Sequence, residues 1–413
     1  MTSPSTPSPS ATVLGLGGCL DYETVWDADV MTALAAEHRI GLTDLDRGDA
    51  LATERDLVRS ILAFVRDGVG GERAVADESI VESVAARHER RVTLGGTSVR
   101  AGLAMSVIGV PSTLHLVSQD PQMRALLPAG VAHVSSASED SVHPHLIMQF
   151  PEGTEVRLAD GTRIVAPRSN RLIYVCDPPN RDMVLSDQLS QMLGEARVFL
   201  ISGFNSMTDQ AQLEDRMRQL REAMAAMPQG SVVMLEDAGY HVPGFERVVI
   251  DRLGDAVDVH SMNEDELQAH LGREVDLLDP VDVADALRSV RRVVRAATVV
   301  IHTQYWALAE GPLARSLERA LEGGTAMAAA RYLHGDAVTA SEVEGMAAYP
   351  RRAQGEVLAG RLRAVLGADA VVVPAFSLTT QTATTIGLGD AFVGGFVAAL
   401  ATGLTARDEP VLR

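Results

Sequence analysis

From about residue 196 onward, short runs of β-branched and aliphatic residues alternate with longer stretches in which apolar positions recur every three or four residues. The runs are VFLIS (198–202), VVML (232–235), AVDVH (256–260), TVVIH (298–302) and AVVVP (370–374). Such runs are apolar on both faces, as buried parallel strands are, and the intervening stretches at 210–227 and 281–295 have helical period. Strand and helix in regular alternation predict a doubly wound α/β domain with a parallel sheet. The first half has another rhythm. Residues 13–17 form one buried strand, 29–73 is polar and helix-prone with no strand period, and RVTLGG (91–96) precedes a helical stretch at 98–108. In VRLADGTRIV (156–165) an Asp-Gly pair separates two alternating runs, a hairpin signal because both turn positions favour positive φ. HLIMQF (145–150) and RLIYV (171–175) flank it as further strands. This half therefore predicts a smaller sheet-containing domain inserted near the first strand.

Composition narrows the chemistry. The chain has 413 residues, and all 36 of its basic residues are arginine, with no lysine anywhere. That excludes a lysine clamp on phosphate, a Schiff base and a lysine general base. Anions must instead be met by arginine, backbone N–H groups, helix N-termini or metal. A formal charge of -19 argues against nucleic acid as a partner. Cys19 and Cys176 stand far apart with no CxxC spacing, so neither a disulfide framework nor a zinc site is indicated, and a reducing cytoplasm is the simplest location. Residues 1–10 are Ser/Pro/Thr-rich and read as a disordered tail. The nearest thing to a membrane span, 391–404, is too short and rich in glycine.

In open parallel sheets, ligands bind beyond the carboxyl ends of the strands. Here those ends read SGFN (202–205), EDAG (236–239), SMNEDE (261–266) and HTQ (302–304). The most specific segment is TTIGLGDAFVGGF (384–396), which follows the last strand and opens a helix with a small face at Ala391, Gly394, Gly395, Ala398 and Ala399. Gly387 and Gly389 let backbone N–H groups turn toward an anion, and the helix dipole favours negative charge there. Asp390 stands beside that anion site; its plain alternative is an N-cap.

These segments carry a family resemblance. With GGCLDYE (17–23), LGGTS (94–98), APRSNRLI (166–173), SGFN, MNEDEL (262–267), IHT (301–303) and the terminal GLGD in order, the chain resembles the ADP-dependent glucokinase and phosphofructokinase branch of the ribokinase-like sugar kinases. The resemblance implies a three-layer α/β/α doubly wound sheet with a smaller α+β lid. The large domain would comprise 11–26, 97–142 and 181–413, and the lid 27–96 and 143–180. It implies a phosphotransferase moving a phosphoryl group from ADP to a hydroxyl of a sugar or sugar phosphate, the alternative being an ATP-dependent kinase of the same superfamily acting on a nucleoside or specialised-metabolite sugar. A catalytically weak sugar- or nucleotide-binding protein is the reading from another class. By that resemblance Asp390 is the general base, and the amides of Gly387, Leu388 and Gly389 form the anion hole. Glu236 and Glu266 hold Mg2+, Asn263 and His302 lie by the nucleotide, and Asp21, Gly95, Gly96, Gln149, Asn170, Arg171 and Asn205 bind the acceptor. For Arg171 the bland alternative is an interdomain salt bridge.

Several positions depart from the family pattern. The HxE motif reads MLE (234–236), without its histidine, and Cys19 stands where asparagine is usual before Asp21. Gln149 and Asn205 replace a glutamate and a glutamine. The carboxylates for phosphoryl transfer are kept while acceptor-side polar groups change, which predicts an altered acceptor.

Overall fold

The computed structural model describes residues 11–48, 50–379 and 386–405; the expected tail and Thr384–Thr385 of the last motif lie outside the described residues. A nine-stranded sheet forms the body, in the spatial order Ala370–Pro374, Trp306–Glu310, Thr298–His302, Val259–Asn263, Val232–Glu236, Val198–Ile201, Thr12–Leu14, Ser112–Leu116, Val131–Ser135. All pairings are parallel except the two made by Trp306–Glu310. The apolar runs are buried on both faces because helices cover both. One face packs Phe199, Ile201, Leu235 and Ile301 under the helices Gln210–Met224, Phe245–Leu253, Pro280–Val290 and Ala353–Leu366. The other packs Leu14, Leu114, Leu200 and Val300 against Thr97–Val107, Glu318–His334 and Leu388–Thr405.

The terminal helix Leu388–Thr405 lies unusually close to its neighbours. A Cβ at Gly394 would stand 2.6 Å from the Ala101 carbonyl oxygen, and one at Gly395 2.4 Å from that of Gly323. The small face expected from the sequence is thus what lets this helix sink between two others.

A second sheet of five strands, in the order Gly71–Ala74, Asn170–Val175, His145–Phe150, Cys19–Thr24, Arg90–Gly95, stands over the carboxyl-end rim of the body sheet. Its core joins Leu146, Met148, Leu172 and Tyr174 to the helices Ala28–Glu37, Glu54–Asp67 and Glu78–Ala85. The Asp160–Gly161 turn closes the small hairpin Glu155–Arg157/Arg163–Val165, with Gly161 at φ 84°.

Some expectations need correction. Cys19–Thr24 falls within the span assigned to the large domain, yet it pairs with Arg90–Gly95 and His145–Phe150 in the lid sheet. The strand expected at 256–260 runs from Val259 to Asn263; its polar His260, Ser261 and Asn263 masked its end, and Asp258 caps the neighbouring Val233 N–H with its carboxylate at 2.8 Å. The strand Trp306–Glu310 went unrecognised, because it returns antiparallel through a tight turn in which Thr303 Oγ1 accepts from the amides of Tyr305 and Trp306. Gly71–Ala74 is a strand inside the stretch read as having none. No helix among the described residues is long and apolar enough to cross a membrane.

Candidate active site

The chain enters the body sheet at Thr12–Leu14, continues to one side of that strand, then returns to the other side at Val198–Ile201. Strand order reverses there, and the loops that splay apart leave a cavity of about 250 Å³ under the lid. Asp21, Gly96, Arg171, Asn205, Gly387 and Asp390 all line it. Residues as far apart as 21 and 390 are therefore neighbours. The cavity shares Glu72, Arg171, Ile173 and Ala238 with a larger cleft of about 1360 Å³ along the lid–body seam, whose walls include Gln149, Asn170, Asn263 and Glu266.

Asp390 sits in the first turn of Leu388–Thr405, directly after a turn at Ile386–Gly387, with Gly387 at φ 65°. That φ is left-handed, and a Cβ there would also crowd Arg100 Nη1 at 2.9 Å, so the position favours glycine. The N–H groups of Leu388 and Gly389 belong to the first turn, which has no intrahelical acceptors to offer them. Asp390 remains partly accessible, at 23% of its side-chain surface.

Opposite it, Asp21 is buried at the centre of a polar network. Gly95 lies across from Cys19 in the ladder, and a Cβ there would meet Asp21 Oδ1 at 2.4 Å; the glycine makes room for the carboxylate. Asp21 Oδ2 accepts from Arg100 Nη2 at 2.6 Å, and Cys19 Sγ donates to Oδ1 at 3.5 Å. Arg100 also reaches Glu23 at 3.3 Å and lies 3.9 Å from Asp390. Burial works against its charge, but Asp21, Asp390 and Glu23 outweigh that and hold the guanidinium protonated more firmly than usual. Arg100 was not singled out in the sequence. Its signal is positional: four residues past Gly96, it is the one charged side chain on an otherwise small and apolar helix.

The network continues from Cys19 to His145 Nδ1 at 3.4 Å, from His145 Nε2 to Asp177 at 2.9 Å, and from Asp177 to Asn180, whose amide pairs with the backbone of Gly18. Burial pushes the Cys19 thiol up to about 12, with Asp21 adding to the shift. Burial disfavours the charged His145 ring, but its neighbours, with Asp177 in hydrogen-bond contact, raise it well above its ordinary value.

Of the residues expected to bind the acceptor, Arg171 is half-buried, lines both cavities, and has no ion-pair partner among the described residues, so the interdomain salt bridge is not formed there. Its backbone N–H is held by Asn170 Oδ1 at 3.0 Å, and Asn170 Nδ2 donates to Gly68 at 3.3 Å. Gln149 faces Arg171 across the ladder and is exposed to the larger cleft. Asn205 stands on the short turn Phe204–Ser206.

The carboxylates expected to hold metal lie deeper. Glu236 is buried; its Oε1 meets His302 Nε2 at 3.0 Å, while its Oε2 has no partner among the described residues. His302, expected beside the nucleotide, lines neither cavity. It is buried, stacked on Phe392 with ring centroids 4.5 Å apart, and although burial disfavours its charge, the Glu236 hydrogen bond raises its pKa. Asn263 and Glu266 form a capping box for the helix Glu264–Leu271: Asn263 Oδ1 accepts the Asp265 and Glu266 amides, and Glu266 accepts from Asn263 N and Nδ2 at 2.8 and 2.9 Å. Burial, then the charge of Glu236, pushes Glu266 up to about 8. A buried carboxylate oxygen with no partner, near a second carboxylate reluctant to ionise, fits a cation held mostly through water.

An open, doubly wound sheet with a cavity at its strand-order reversal, beneath a lid built from insertions after its first strand, is an arrangement suited to a small ligand. The chain belongs to the ADP-specific phosphofructokinase/glucokinase family, whose conserved region matches residues 11–398, and it is an ADP-dependent carbohydrate kinase. Similar solved structures include a hypothetical ADP-dependent phosphofructokinase from Pyrococcus horikoshii OT3, 16% identical with a TM-score of 0.76 over 97% of this chain and 100% of that one. A phosphofructokinase from the same organism, solved with AMP, is 17% identical with a TM-score of 0.75 over 97% and 99%. An ADP-dependent kinase in complex with fructose-6-phosphate and ADPbetaS is 15% identical with a TM-score of 0.68 over 94% and 93%. Among curated proteins, no sequence matches this chain.

Proposed function

We propose that this protein transfers the terminal phosphoryl group of ADP to a hydroxyl of a sugar or sugar phosphate, releasing AMP, with Asp390 as general base. The observation that carries this reading is the position of Asp390: partly accessible, at the N-terminus of a glycine-opened helix, in the same small cavity as Asp21 and Arg171. As the acceptor oxygen attacks, its proton passes to the Asp390 carboxylate. The amides of Gly387, Leu388 and Gly389, with the helix dipole behind them, stabilise the charge on the transferring group. Glu236 and Glu266 would hold magnesium, which when bound supplies positive charge against the nucleotide phosphates. Asn263, which presents its amide beside Glu266 on the wall of the larger cleft, would meet the nucleotide there.

Arg171 favours a sugar phosphate over a neutral sugar, since a half-buried guanidinium lining the cleft, with Glu72 acting on it electrostatically but not in ion-pair contact, is suited to an anionic substituent. In a structural neighbour, the kinase bound to fructose-6-phosphate, an acceptor of that type is present. The acceptor itself would differ, because Asp21 is engaged by Arg100 and Cys19 and has less capacity to accept hydroxyls. The lid excludes water, which otherwise competes as acceptor.

The test is AMP release from ADP across a panel of sugars and sugar phosphates. Asp390→Asn should lower kcat by roughly 10²–10⁴-fold with ADP binding, measured by calorimetry, little changed. Near-normal turnover in that variant would remove the base assignment, and turnover with ATP but none with ADP would remove the donor.

A further inference from the structure

Away from the acceptor cavity, three side chains from three different elements converge. Asp237 follows the strand Val232–Glu236, His260 lies within Val259–Asn263, and His270 is in the last turn of Glu264–Leu271. Both imidazoles direct Nε2 at one oxygen, Asp237 Oδ2, at 3.1 Å from His260 and 2.6 Å from His270. All three ligand atoms lie within 4.8 Å of one another. The rings are nearly perpendicular, at 74°, so their Nε2 atoms approach from different directions. The other carboxylate oxygen accepts the Ala238 N–H at 2.9 Å, which fixes the carboxylate's orientation. Asp237 and His260 are buried, whereas Asp237 and His270 reach the wall of the larger cleft.

We propose that Asp237, His260 and His270 bind one divalent transition-metal ion of the zinc type, in a site distinct from the magnesium carboxylates and opening on the lid–body cleft. Two imidazole nitrogens and one carboxylate oxygen form a donor set suited to zinc, cobalt or nickel, whereas magnesium takes oxygen ligands. Bonds of about 2.0–2.2 Å would place the ligand atoms about 3.4 Å apart at the corners of a tetrahedron. His260 is near that separation from Asp237 already. His270, at the end of its helix and facing the cleft, needs to swing back by under about 1 Å. The surroundings favour a cation: Glu246, on the wall of the same cleft, acts on His270 electrostatically. Three protein ligands leave a fourth position toward the cleft for water or a ligand oxygen. The ion would fasten the loop after Asp237, which carries His241 to its contact with Glu72 of the lid at 2.8 Å. This site stands on its own geometry and does not depend on the assignment of Asp390 or of the acceptor.

The experiment is a Co2+ titration of the full chain, freed of any affinity tag and stripped with a chelator, followed by the visible ligand-field absorption of cobalt. One Co2+ per chain should give a band typical of four or five ligands, which one equivalent of Zn2+ displaces and excess Mg2+ does not. His270→Gln, at the cleft surface where folding is least at risk, should abolish the band, and Glu236→Gln should keep it. Absence of a stoichiometric band in the unsubstituted protein would overturn the site, as would its persistence in both His270→Gln and Asp237→Asn.

Discussion

Arg100 shows how much one buried cation can hold together. It bridges Asp21 and Glu23 of the lid sheet and lies near Asp390 on the terminal helix. Removing one partner of a buried pair leaves the other charge uncompensated, at a cost of about 3–5 kcal/mol. Arg100→Met should therefore lower the urea-unfolding free energy by that order, and adding Asp21→Asn should recover part of the loss, since the two substitutions share one interaction. Independent, additive costs would show that the pair is not coupled. His115 gives a second test at this scale. Its Nε2 accepts the Ser186 N–H at 2.8 Å, its Nδ1 is buried without a partner among the described residues, and burial lowers its pKa from 6.5 to about 4. A histidine with a depressed folded pKa contributes stability that is present above its unfolded pKa and is lost as pH falls through the folded one. The protein should lose on the order of 3 kcal/mol from this group between about pH 6.5 and 4. His115→Gln should flatten that part of the acid-stability curve, measured by chemical denaturation at several pH values; an unchanged slope would refute the assignment.

At the scale of elements, the terminal helix couples packing to chemistry. Its Asp390 end lines the small cavity, while its Gly394–Gly395 face sits hard against the helices Thr97–Val107 and Glu318–His334. Gly395→Val should push these helices apart, destabilise the fold by about 1–3 kcal/mol and, with Asp390 as the proposed base, lower kcat, because displacing such a group by even about 1 Å is costly. Gly403→Ala is the control. A Cβ there meets nothing within 4 Å, and alanine is the better helix former by about 1 kcal/mol, so the melting temperature should hold or rise with kcat unchanged. Equal loss in both variants would argue against a packing origin. The small-residue face of this helix was legible in the sequence because it follows helical period. The antiparallel strand Trp306–Glu310 was not, because a strand-and-helix alternation gives no reason to look for a two-stranded return.

For the whole molecule, the question is what holds the lid over the body. Between side chains, the seam carries the Glu72–His241 pair at 2.8 Å and the Arg91–Asp336 pair at 2.5 Å, beside the buried contacts of Arg100. Exposed pairs of this kind contribute about 0–1 kcal/mol each. Such a latch is weak enough for the lid to open for substrate. Combining Glu72→Gln with Arg91→Gln, which also removes the Arg91–Glu23 pair, should lower global stability by no more than about 3 kcal/mol yet speed amide hydrogen exchange along the seam. Unchanged exchange there would mean that the lid is held by other contacts.

Sequence alone determined the elements whose signal is local. The parallel strands, the Asp-Gly hairpin and the glycine-opened helix bearing Asp390 follow from periodicity and turn chemistry, and the absence of lysine already pointed to amides, arginine and metal as the means of holding phosphate. Tertiary structure decided what depends on contacts between distant segments. It moved Cys19–Thr24 into the lid, set Arg100 between Asp21 and Asp390, withdrew His302 from the cleft to pair with Glu236, and brought Asp237, His260 and His270 to a single point. Hydrophobic period records which side of an element is buried, but the partner of a polar side chain is set by which other element the fold lays across it.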